Sequence, residues 1–309
     1  MSQNIFGCDL SKARIDIHAR ASGHDTQIAN EAGAIAAWLA DLPVDARIGF
    51  EATSGCDKML IAALAAAGRP IHRINPKRVR DHARGIGVLA KTDRVDARVL
   101  ADLGQRDDLP VMVPPEADRE RLAGILKRRQ QLVGMLKAEE RRLDDADLAE
   151  ICRELRSMIR LMKRRIDKLE AEIARLADSC TLAEDAARLR TMPGMGPVTS
   201  AVLLAHLPEL GRLHRRKIAS LAGLAPLARD SGNMRGRRTI WGGRRMVRWA
   251  LYIAALNAVR CVPRFKARYQ RMRAAGKAAK TALIAIARQI LVTLNAMFRD
   301  KTDFKAADS

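Results

Sequence analysis

The sequence has few aromatic residues and few cysteines. Phe, Tyr and Trp together make up only 3% of its 309 residues. The five cysteines are scattered and never spaced Cys-x-x-Cys, which argues against a zinc site or a disulfide framework and indicates reduced thiols in a cytosolic protein. The first residues contain no basic segment followed by an apolar one, so we expect no signal peptide.

Long apolar runs and acidic residues are also scarce. The apolar stretch most similar to a membrane span covers residues 278–298, and Lys280 and Arg288 interrupt it. We therefore expect no transmembrane helix and no membrane partner. The 35 Asp and Glu stand against 56 Lys and Arg, which gives a net charge of +21. Such an excess of positive charge predicts a polyanionic partner, of which nucleic acid is the usual one.

The pattern of apolar residues divides the chain into three predicted domains. Residues 1–110 form an α/β domain with a mixed sheet, with strands at 4–10, 14–19, 47–51 and 70–74 and helices at 32–42, 58–67 and 94–103. The prolines of segment 109–115 mark its boundary. Residues 116–178 contain no proline and are predicted as long helices. Residues 181–309 are predicted as a basic, all-α domain.

The second half of the central helical region carries a heptad seam. Its apolar residues recur at alternating spacings of four and three, and they are Leu148, Cys152, Leu155, Ile159, Met162, Ile166, Leu169, Ile173 and Leu176. This seam predicts a coiled coil that serves assembly. An antiparallel hairpin within the chain and pairing between chains are both compatible with it. Because the seam is uninterrupted, we favour pairing, in a dimer or tetramer.

Four acidic residues lie where a carboxylate is costly unless it has a function. Asp9 lies within an apolar run, and Glu51 closes another. Asp93 and Asp96 are three residues apart at the start of a predicted helix, so their side chains face the same way. Two strand carboxylates and a helical pair supply the hard oxygen ligands that Mg²⁺ prefers, in the layout of a ribonuclease-H-like nuclease fold. Taken singly, Asp93 could be a helix-dipole partner and Glu51 a loop-facing charge.

Residues 192–201 contain Pro-Gly-x-Gly between two predicted helices, which is typical of a helix-hairpin-helix. Gly194 and Gly196 allow a tight turn, and the free amides that begin the second helix can hold a phosphate without reading its sequence. A plain packing turn between two helices is the alternative.

Positive charge is concentrated in residues 211–248, which contain eleven Lys or Arg and one acid. This imbalance predicts contacts with a phosphate backbone. The predicted contacts are Arg229, Arg235, Arg237, Arg238, Arg244 and Arg245. Residues 223–243 are predicted as a loop or short hairpin. Within it the hydroxyl of Ser231 could attack a phosphodiester, although a Ser-Gly pair is usually part of a turn.

Several motifs, taken in order, resemble one family over nearly the whole chain. They are Gly-Cys-Asp-Leu-Ser-Lys at 7–12, Phe-Glu-Ala-Thr at 50–53, Lys-Thr-Asp-Arg-Val-Asp-Ala at 91–97, Pro-Gly-Met-Gly at 193–196, Ala-Gly-Leu-Ala-Pro at 222–226 and Ser-Gly at 231–232. This set resembles the DEDD transposases of bacterial insertion sequences, the IS110 family, which include Piv-type DNA invertases.

The resemblance implies a fold and a function. It implies a RuvC-like first domain whose DEDD set is Asp9, Glu51, Asp93 and Asp96, with Mg²⁺, and a C-terminal transposase domain whose serine nucleophile is Ser231. It also implies a structured RNA, encoded by the element, that bridges donor and target DNA. We therefore expect a cytoplasmic DNA recombinase that excises and inserts a mobile element. Since the seam favours pairing, we expect the acids and the serine to come from different protomers.

Two other functions are compatible with the residues alone. A hydrolytic RuvC-like junction nuclease would use metal-activated water and leave Ser231 idle. A non-catalytic architectural protein would bind nucleic acid without any metal-dependent reaction.

Overall fold

The computed structural model describes residues 4–52, 55–90, 92–106, 109, 111–114, 116–179, 181–227, 230–231, 234–236 and 238–305. The chain forms two compact units, unit 1 (Met1–Pro114) and unit 2 (Pro115–Ser309). The division falls within the segment 109–115, where prolines prevent a helix from continuing.

Unit 1 contains a five-stranded sheet. Its strands are β1 (Ile5–Leu10), β2 (Arg14–Ala19), β3 (His24–Ala29), β4 (Arg47–Glu51) and β5 (His72–Ile74), and its helices are α1 (Ala32–Ala40), α2 (Lys58–Ala66), α3 (Pro76–Gly85) and α4 (Asp93–Leu103). The strand order is β3-β2-β1-β4-β5. β1, β2 and β3 are antiparallel neighbours, whereas β4 and β5 run parallel to β1. The predicted α/β domain with a mixed sheet is confirmed.

The two faces of this sheet differ because side chains alternate along a strand. Cys8 of β1 and Phe50 of β4 are paired in register and are buried in one apolar cluster with residues of α1 and α2. Gly7 and Gly49, paired one position earlier, face α4 instead. The sheet therefore lies between α1 and α2 on one face and α4 on the other.

Two elements of unit 1 have no counterpart among the predicted ones. β3 is an edge strand of mostly exposed residues, so it lacks the apolar alternation of a half-buried strand. α3 begins at Pro76 after Asn75, whose side chain accepts a hydrogen bond from the Lys77 amide. This Asn-Pro start is a recognisable helix signal. The apolar stripe of α3 is reduced to Val79 and Ala83, which explains why apolar periodicity does not reveal the helix.

Unit 2 is mostly helical. Its helices are α5 (Ala117–Asp144), α6 (Ala149–Ser179), α7 (Ala183–Thr191), α8 (Pro197–His206), α9 (Arg215–Leu221), α10 (Arg245–Cys261), α11 (Pro263–Ala274) and α12 (Ala279–Asp300). Between α9 and α10 lie four two-residue strands, β6 (Pro226–Leu227), β7 (Asp230–Ser231), β8 (Met234–Arg235) and β9 (Thr239–Ile240). β6 pairs antiparallel with β9, and β7 with β8. These short pairs agree with the loop or short hairpin predicted for 223–243, where Gly and Pro residues disfavour helix, so the all-α description does not extend to this segment.

α5 and α6 form an antiparallel hairpin within the chain. Its turn lies between Asp144 and Ala149, where the acidic run ends α5. Arg129 of α5 donates a hydrogen bond to Glu170 of α6, with 2.7 Å between Nε and Oε1, and Lys163 Nζ lies 3.3 Å from Glu140 Oε1. The buried residues of the heptad seam are Leu155, Ile159, Met162, Ile166, Ile173 and Leu176.

The hairpin uses most of the seam inside one chain. Leu122 and Leu126 of α5 belong to the same buried cluster as Ile173 and Leu176. Residues that pack on α5 are not free to pack on a second copy, so the uninterrupted seam no longer favours pairing between chains. Leu148, with 61% of its surface exposed, is the clearest seam position left uncovered.

α12 combines an apolar composition with a position in the core of unit 2. By length and composition alone it could cross a membrane. Its residues Ile286, Ile290 and Leu294, however, are fully buried in one cluster with Ala250 and Ala254 of α10. α12 therefore acts as a core helix, as expected from the charges that interrupt it.

Candidate functional site

Asp9 and Glu51 lie at the carboxyl ends of neighbouring parallel strands. Cys8 pairs with Phe50 in the register of β1 and β4, so Asp9 and Glu51, one residue further along each strand, lie side by side. The alternation of side chains places both on the sheet face that α4 covers. Asp9 is half-buried, and its Oδ1 accepts a hydrogen bond of 3.0 Å from the Leu10 amide.

α4 lies directly on this face because a glycine leaves room for it. A Cβ atom on Gly7 would lie 2.0 Å from the carbonyl oxygen of Ala97 and 2.3 Å from the amide nitrogen of Ala101. Only glycine permits so close an approach of a helix to a strand. α4 is thereby fixed over β1, the strand that carries Asp9.

The first turn of α4 carries the second pair of acids. Thr92 precedes the helix, and its Oγ1 accepts a hydrogen bond from the Val95 amide. Asp93 and Asp96 follow in the first turn. The Asp96 side chain is 13% exposed and that of Asp93 is 55% exposed, so Asp96 is the member of the pair that faces the protein.

The other three acids all raise the pKa of Asp9. That pKa rises to about 6, first because the carboxyl is buried and then because Asp96, Asp93 and, more weakly, Glu51 repel its charge. The structure therefore brings the four predicted acids into one electrostatic neighbourhood. Carboxylates that repel one another in this way match a site for a cation, which would favour their ionised forms.

Two arginines hold part of this acidic set. Arg14 Nη2 lies 3.0 Å from Asp93 Oδ2, and Arg80 Nη2 lies 4.0 Å from Asp96 Oδ1. Among the residues that the structure describes, no three His, Cys, Asp or Glu side chains are grouped closely enough to hold one metal ion. The acids fit a divalent cation in donor chemistry and in charge, but as the structure places them they do not converge on a single ion, and Arg14 engages Asp93.

Asp16 is an acidic neighbour that the sequence motifs do not single out. It pairs with Asp9 in the register of β1 and β2 and is buried. Its carboxylate accepts a hydrogen bond of 2.8 Å from Gln27 Nε2 and lies 3.4 Å from Arg14 Nε. Arg14 thus forms ion pairs with both Asp16 and Asp93, while Gln27 supplies a hydrogen bond to Asp16. The short separation of the first two predicted strands, 4–10 and 14–19, is the signal that could find Asp16, because closely spaced strands tend to pair as a hairpin.

Ser231 lies on β7, where it pairs with Met234 of β8. It therefore occupies a short β-ribbon between α9 and α10. Arg229 and Arg237, together with the side chains of Ser231 and Arg235, lie outside the described part of the chain.

The other predicted phosphate contacts differ in their surroundings. Arg238 and Arg245 are exposed. Arg244 is half-buried and donates a hydrogen bond of 2.9 Å to the carbonyl oxygen of His206. It also forms a two-pronged ion pair with Glu209, with 2.6 Å between Nη2 and Oε1. The guanidinium of Arg244 is therefore committed to contacts inside unit 2.

The Pro-Gly-x-Gly turn joins α7 to α8, and its two glycines have different roles. Gly194 has a φ of 92°, and a Cβ there would lie 2.5 Å from the carbonyl oxygen of Ala254 in α10. Gly194 thus permits close packing, as the plain packing turn requires. Gly196 is the N-cap of α8 and has open space where a Cβ would lie, which is compatible with an anion at the start of that helix.

Two family models match the chain. The DEDD transposase model of the IS110 group, described as Transposase, matches residues 6–153. A model described as Transposase IS116/IS110/IS902 family matches residues 186–270. The first covers the strands and the helix that carry the four acids, and the second covers the segment that carries Ser231.

Curated relatives agree with these matches. The pilin gene-inverting protein of Moraxella bovis is 30% identical over 237 residues, which is 75% of this chain and 73% of that protein. The insertion element IS116 uncharacterized 44.8 kDa protein of Streptomyces clavuligerus is 28% identical over 327 aligned positions, covering 81% of each chain. The insertion element IS110 uncharacterized 43.6 kDa protein of Streptomyces coelicolor is 35% identical over 140 residues, 45% of this chain and 34% of that protein.

Proposed function

The chain belongs to the IS110 family of DEDD transposases and is a DNA transposase, and on this premise we propose how it acts. We propose that it excises and inserts an insertion sequence. In this proposal Asp9, Glu51, Asp93 and Asp96 form a Mg²⁺-dependent site on a RuvC-like unit 1, and Ser231 is the nucleophile. The sheet order of unit 1 and its mixed strand directions support the RuvC-like assignment.

The four acids are the residues that would hold Mg²⁺. When bound there, the ion would lower the charge barrier at a DNA phosphate. DEDD transposases generally use a divalent metal, and carboxylate oxygen donors favour Mg²⁺ over softer ions. The half-buried position of Asp9 lets its charge act with little screening by water.

Ser231 would carry the covalent step. Its Oγ would form a new O–P bond to a DNA phosphate while one bridging P–O bond breaks, so that the strand stays joined to the protein as a phosphodiester. The hydroxyl proton passes to a base, and the departing deoxyribose oxygen takes up a proton. One phosphodiester replaces another, so the strand can later be rejoined by the reverse attack. Arg235 and Arg238, near Ser231 in sequence, would stabilise the developing charge.

The partners follow from the same premise. DNA is the substrate of a transposase. We propose that a structured bridging RNA pairs donor with target, that the protein acts as a homo-oligomer, a dimer or tetramer, and that it works in the cytoplasm. The net charge of +21 supports two polyanionic partners rather than one small anion.

The coupling of Asp9 to three other acids is the observation that carries this proposal. A carboxyl whose charge is opposed by burial and by three like charges is costly for folding, and a metal-dependent reaction explains its presence. Asp9→Asn should therefore keep the fold and DNA binding but abolish strand cleavage. If this variant cleaves DNA at the wild-type rate, the metal-site assignment is wrong.

The oligomer is tested by mixing two inactive proteins. Asp9→Asn lacks the acid set and Ser231→Ala lacks the nucleophile, so each alone should be inactive. If the two groups act from different protomers, co-assembled mixtures should recover part of the activity. No recovery despite proven co-assembly would place both groups in the same chain.

A junction nuclease is the second candidate, because the four acids lie together within unit 1. Such an enzyme would cleave by hydrolysis and form no bond to Ser231. A non-catalytic architectural protein is disfavoured, since it would have no use for a costly carboxylate such as Asp9.

A further inference from the structure

Unit 2 contains a large open cleft that joins part of the basic segment 211–248 to later residues of α11 and α12. Its volume is about 1170 Å³, and it is lined by residues of α9, α11, α12 and the β6–β9 ribbon. Small-molecule pockets usually measure roughly 300–1,000 Å³, so this cleft has room for an extended ligand. The segment that connects β6 to β9 carries Ser231, which makes the ribbon both a wall of the cleft and the support of the proposed nucleophile.

α12 provides the floor of the cleft with one of its two faces. Its other face, which includes Ile286, Ile290 and Leu294, is fully buried in the core of unit 2. The cleft face carries Ile284, Arg288, Gln289 and Val292, among others. Residues spaced three and four apart share one side of a helix, so these side chains form a continuous stripe along the floor.

The rim of the cleft is positively charged. Seven of its lining residues are Lys or Arg and none is acidic. They come from α9, the residue before β9, α11, and α12 with its preceding turn. They include Arg216, Arg238, Arg268, Lys280 and Arg288. Within the described ranges, none of the seven forms an ion pair with a carboxylate, so their charges are available for a polyanion.

The floor is apolar and contains an amide with unused hydrogen-bonding capacity. Leu224, Ile240, Ile284 and Val292 contribute aliphatic surface. Gln289 lines the cleft, and its Oε1 is buried without a hydrogen-bond partner among the described residues. An unpaired buried amide oxygen is unfavourable, because it has lost its hydrogen bonds to water without gaining another partner. Rotation about the last side-chain torsion, which is soft in glutamine, would turn the amide toward a ligand on the floor.

We propose that this cleft binds a single-stranded stretch of nucleic acid. The phosphates lie along the basic rim, the bases lie on the aliphatic floor, and the Gln289 amide oxygen accepts a hydrogen bond from a base N–H. The inference rests on the proposed function only for its partner, a nucleic acid. It adds a strand-binding surface that leads toward the segment of Ser231.

A single strand fits these features better than a duplex does. A duplex offers phosphates to a protein surface but keeps its base faces stacked inside, so the aliphatic floor would stay uncovered. Unpaired bases present apolar faces that can cover such a floor while their backbone follows a basic groove. Strand transfer also requires DNA to be locally unpaired, which supplies this ligand during the proposed reaction.

The test measures binding without catalysis. Full-length Ser231→Ala protein in EDTA is titrated, by fluorescence anisotropy, into labelled oligothymidylate of about 12 nucleotides, within the site size of single-strand binders. Arg268→Ala/Lys280→Ala should weaken binding about tenfold or more and reduce the dependence of log affinity on log salt by about 0.7 per lost contact. Arg260→Ala/Lys266→Ala removes two exposed charges outside the cleft and should change affinity less than about twofold.

The proposal would be overturned if the two pairs of substitutions reduced the affinity for oligothymidylate equally, or if neither pair reduced it. A duplex of the same length serves as a second probe. If the cleft substitutions weaken duplex binding as much as single-strand binding, the single-strand assignment is wrong. Oligouridylate is the RNA probe that distinguishes the two sources of a strand. If the cleft substitutions weaken the binding of oligouridylate more than that of oligothymidylate, the bound strand is RNA. If they weaken the binding of oligothymidylate more, the bound strand is DNA. Failure of the serine chemistry would leave all these measurements unchanged.

Gln289→Leu tests whether bases lie on the floor of the cleft and donate a hydrogen bond to Gln289. It removes an unpaired buried oxygen, so thermal stability should stay equal or rise. The preference of the protein for an intact oligothymidylate over the same strand with abasic sites should fall about threefold to tenfold, the value of one hydrogen bond. An unchanged preference in a folded variant would contradict base contact at Gln289.

Discussion

Gly7 of β1 and Ala97 of α4 approach so closely that a Cβ atom on Gly7 would lie 2.0 Å from the Ala97 carbonyl oxygen. This contact joins the strand of Asp9 to the helix of Asp93 and Asp96. The relative positions of the two pairs of acids therefore depend on the absence of one side chain.

Gly7→Ala should separate the helix from the strand. The added methyl group meets backbone atoms, which cannot move aside as a flexible side chain can, so we expect a loss of about 3 kcal/mol in unfolding free energy and a loss of DNA cleavage. Gly33→Ala is the matched control, because a Cβ there meets nothing within 4 Å. It should leave stability unchanged or raise it by up to about 1 kcal/mol. Urea denaturation of both variants makes the comparison, and wild-type stability of Gly7→Ala would contradict the packing described.

In the metal-free protein, ionisation of Asp9 should lower the free energy of unfolding as the pH rises. Its pKa is about 6, above the ordinary value of 3.8, so the folded state favours the neutral acid. The stability contributed by that neutral form is full below pH 3.8 and is lost as the pH rises through 6. Asp9→Asn, which is always neutral, should therefore be more stable than the wild type at pH 8 in EDTA, by about 1 kcal/mol after allowance for solvent screening of this half-buried group.

At pH 4 the same substitution should have little effect, since Asp9 is then mostly protonated in the folded protein. Melting temperatures at the two pH values provide the measurement. A variant that is destabilised at pH 8 would show that the four acids do not crowd one another.

Arg14 should compete with a metal ion for Asp93. Its Nη2 lies 3.0 Å from Asp93 Oδ2, so a cation that uses Asp93 as a ligand has to displace it. Arg14→Ala should therefore tighten Mn²⁺ or Mg²⁺ binding severalfold in isothermal titration calorimetry. Arg20→Ala, which removes an arginine paired with Asp102 instead, is the control and should leave metal affinity unchanged. Weaker metal binding by Arg14→Ala would mean that Arg14 positions the ligands rather than competing for them.

Arg244 and Arg245 should separate stability from nucleic-acid binding. Arg244 is tied to Glu209 and to the carbonyl oxygen of His206, so Arg244→Ala leaves a half-buried carboxylate unpaired and should cost about 2 kcal/mol of stability. Arg245 is exposed, so Arg245→Ala should keep stability and weaken DNA binding. The melting temperature of each variant measures stability, and fluorescence anisotropy measures DNA binding. If Arg245→Ala lowers the melting temperature and Arg244→Ala weakens only DNA binding, the assigned roles are wrong.

Much of unit 1 could be predicted from the sequence because its signals are local. Apolar strands ending in an acid, and the Thr-Asp-x-x-Asp helix start, each need only a few adjacent residues. The closeness of Gly7 to Ala97 and the pairing of Arg244 with Glu209 join residues far apart in the chain, so no local pattern encodes them. The heptad seam was ambiguous for a different reason: a seam is equally suited to α5 of the same chain and to a second copy, and only the tertiary structure distinguishes them.

The cleft of unit 2 could not be predicted from the sequence for a similar reason. Its seven cations are spread over separate elements, and four of them, Arg268, Lys277, Lys280 and Arg288, follow the basic segment 211–248 that composition singles out. The apolar composition of α12 suggests only a core helix. Its exposed stripe becomes a floor once α9, α11 and the ribbon are packed beside it.

Trapping the protein–DNA bond shows whether a Mg²⁺-dependent acid set and Ser231 serve one strand-transfer reaction. End-labelled DNA carrying the ends of the element is incubated with the protein, the bridging RNA and Mg²⁺, denatured, and resolved on a gel. We expect a labelled band at the mass of the protein plus DNA for the wild type, and no such band for Ser231→Ala, for Asp9→Asn or in EDTA. Cleaved DNA without a protein-linked band, or cleavage that persists in Ser231→Ala, would contradict the account and identify a hydrolytic nuclease.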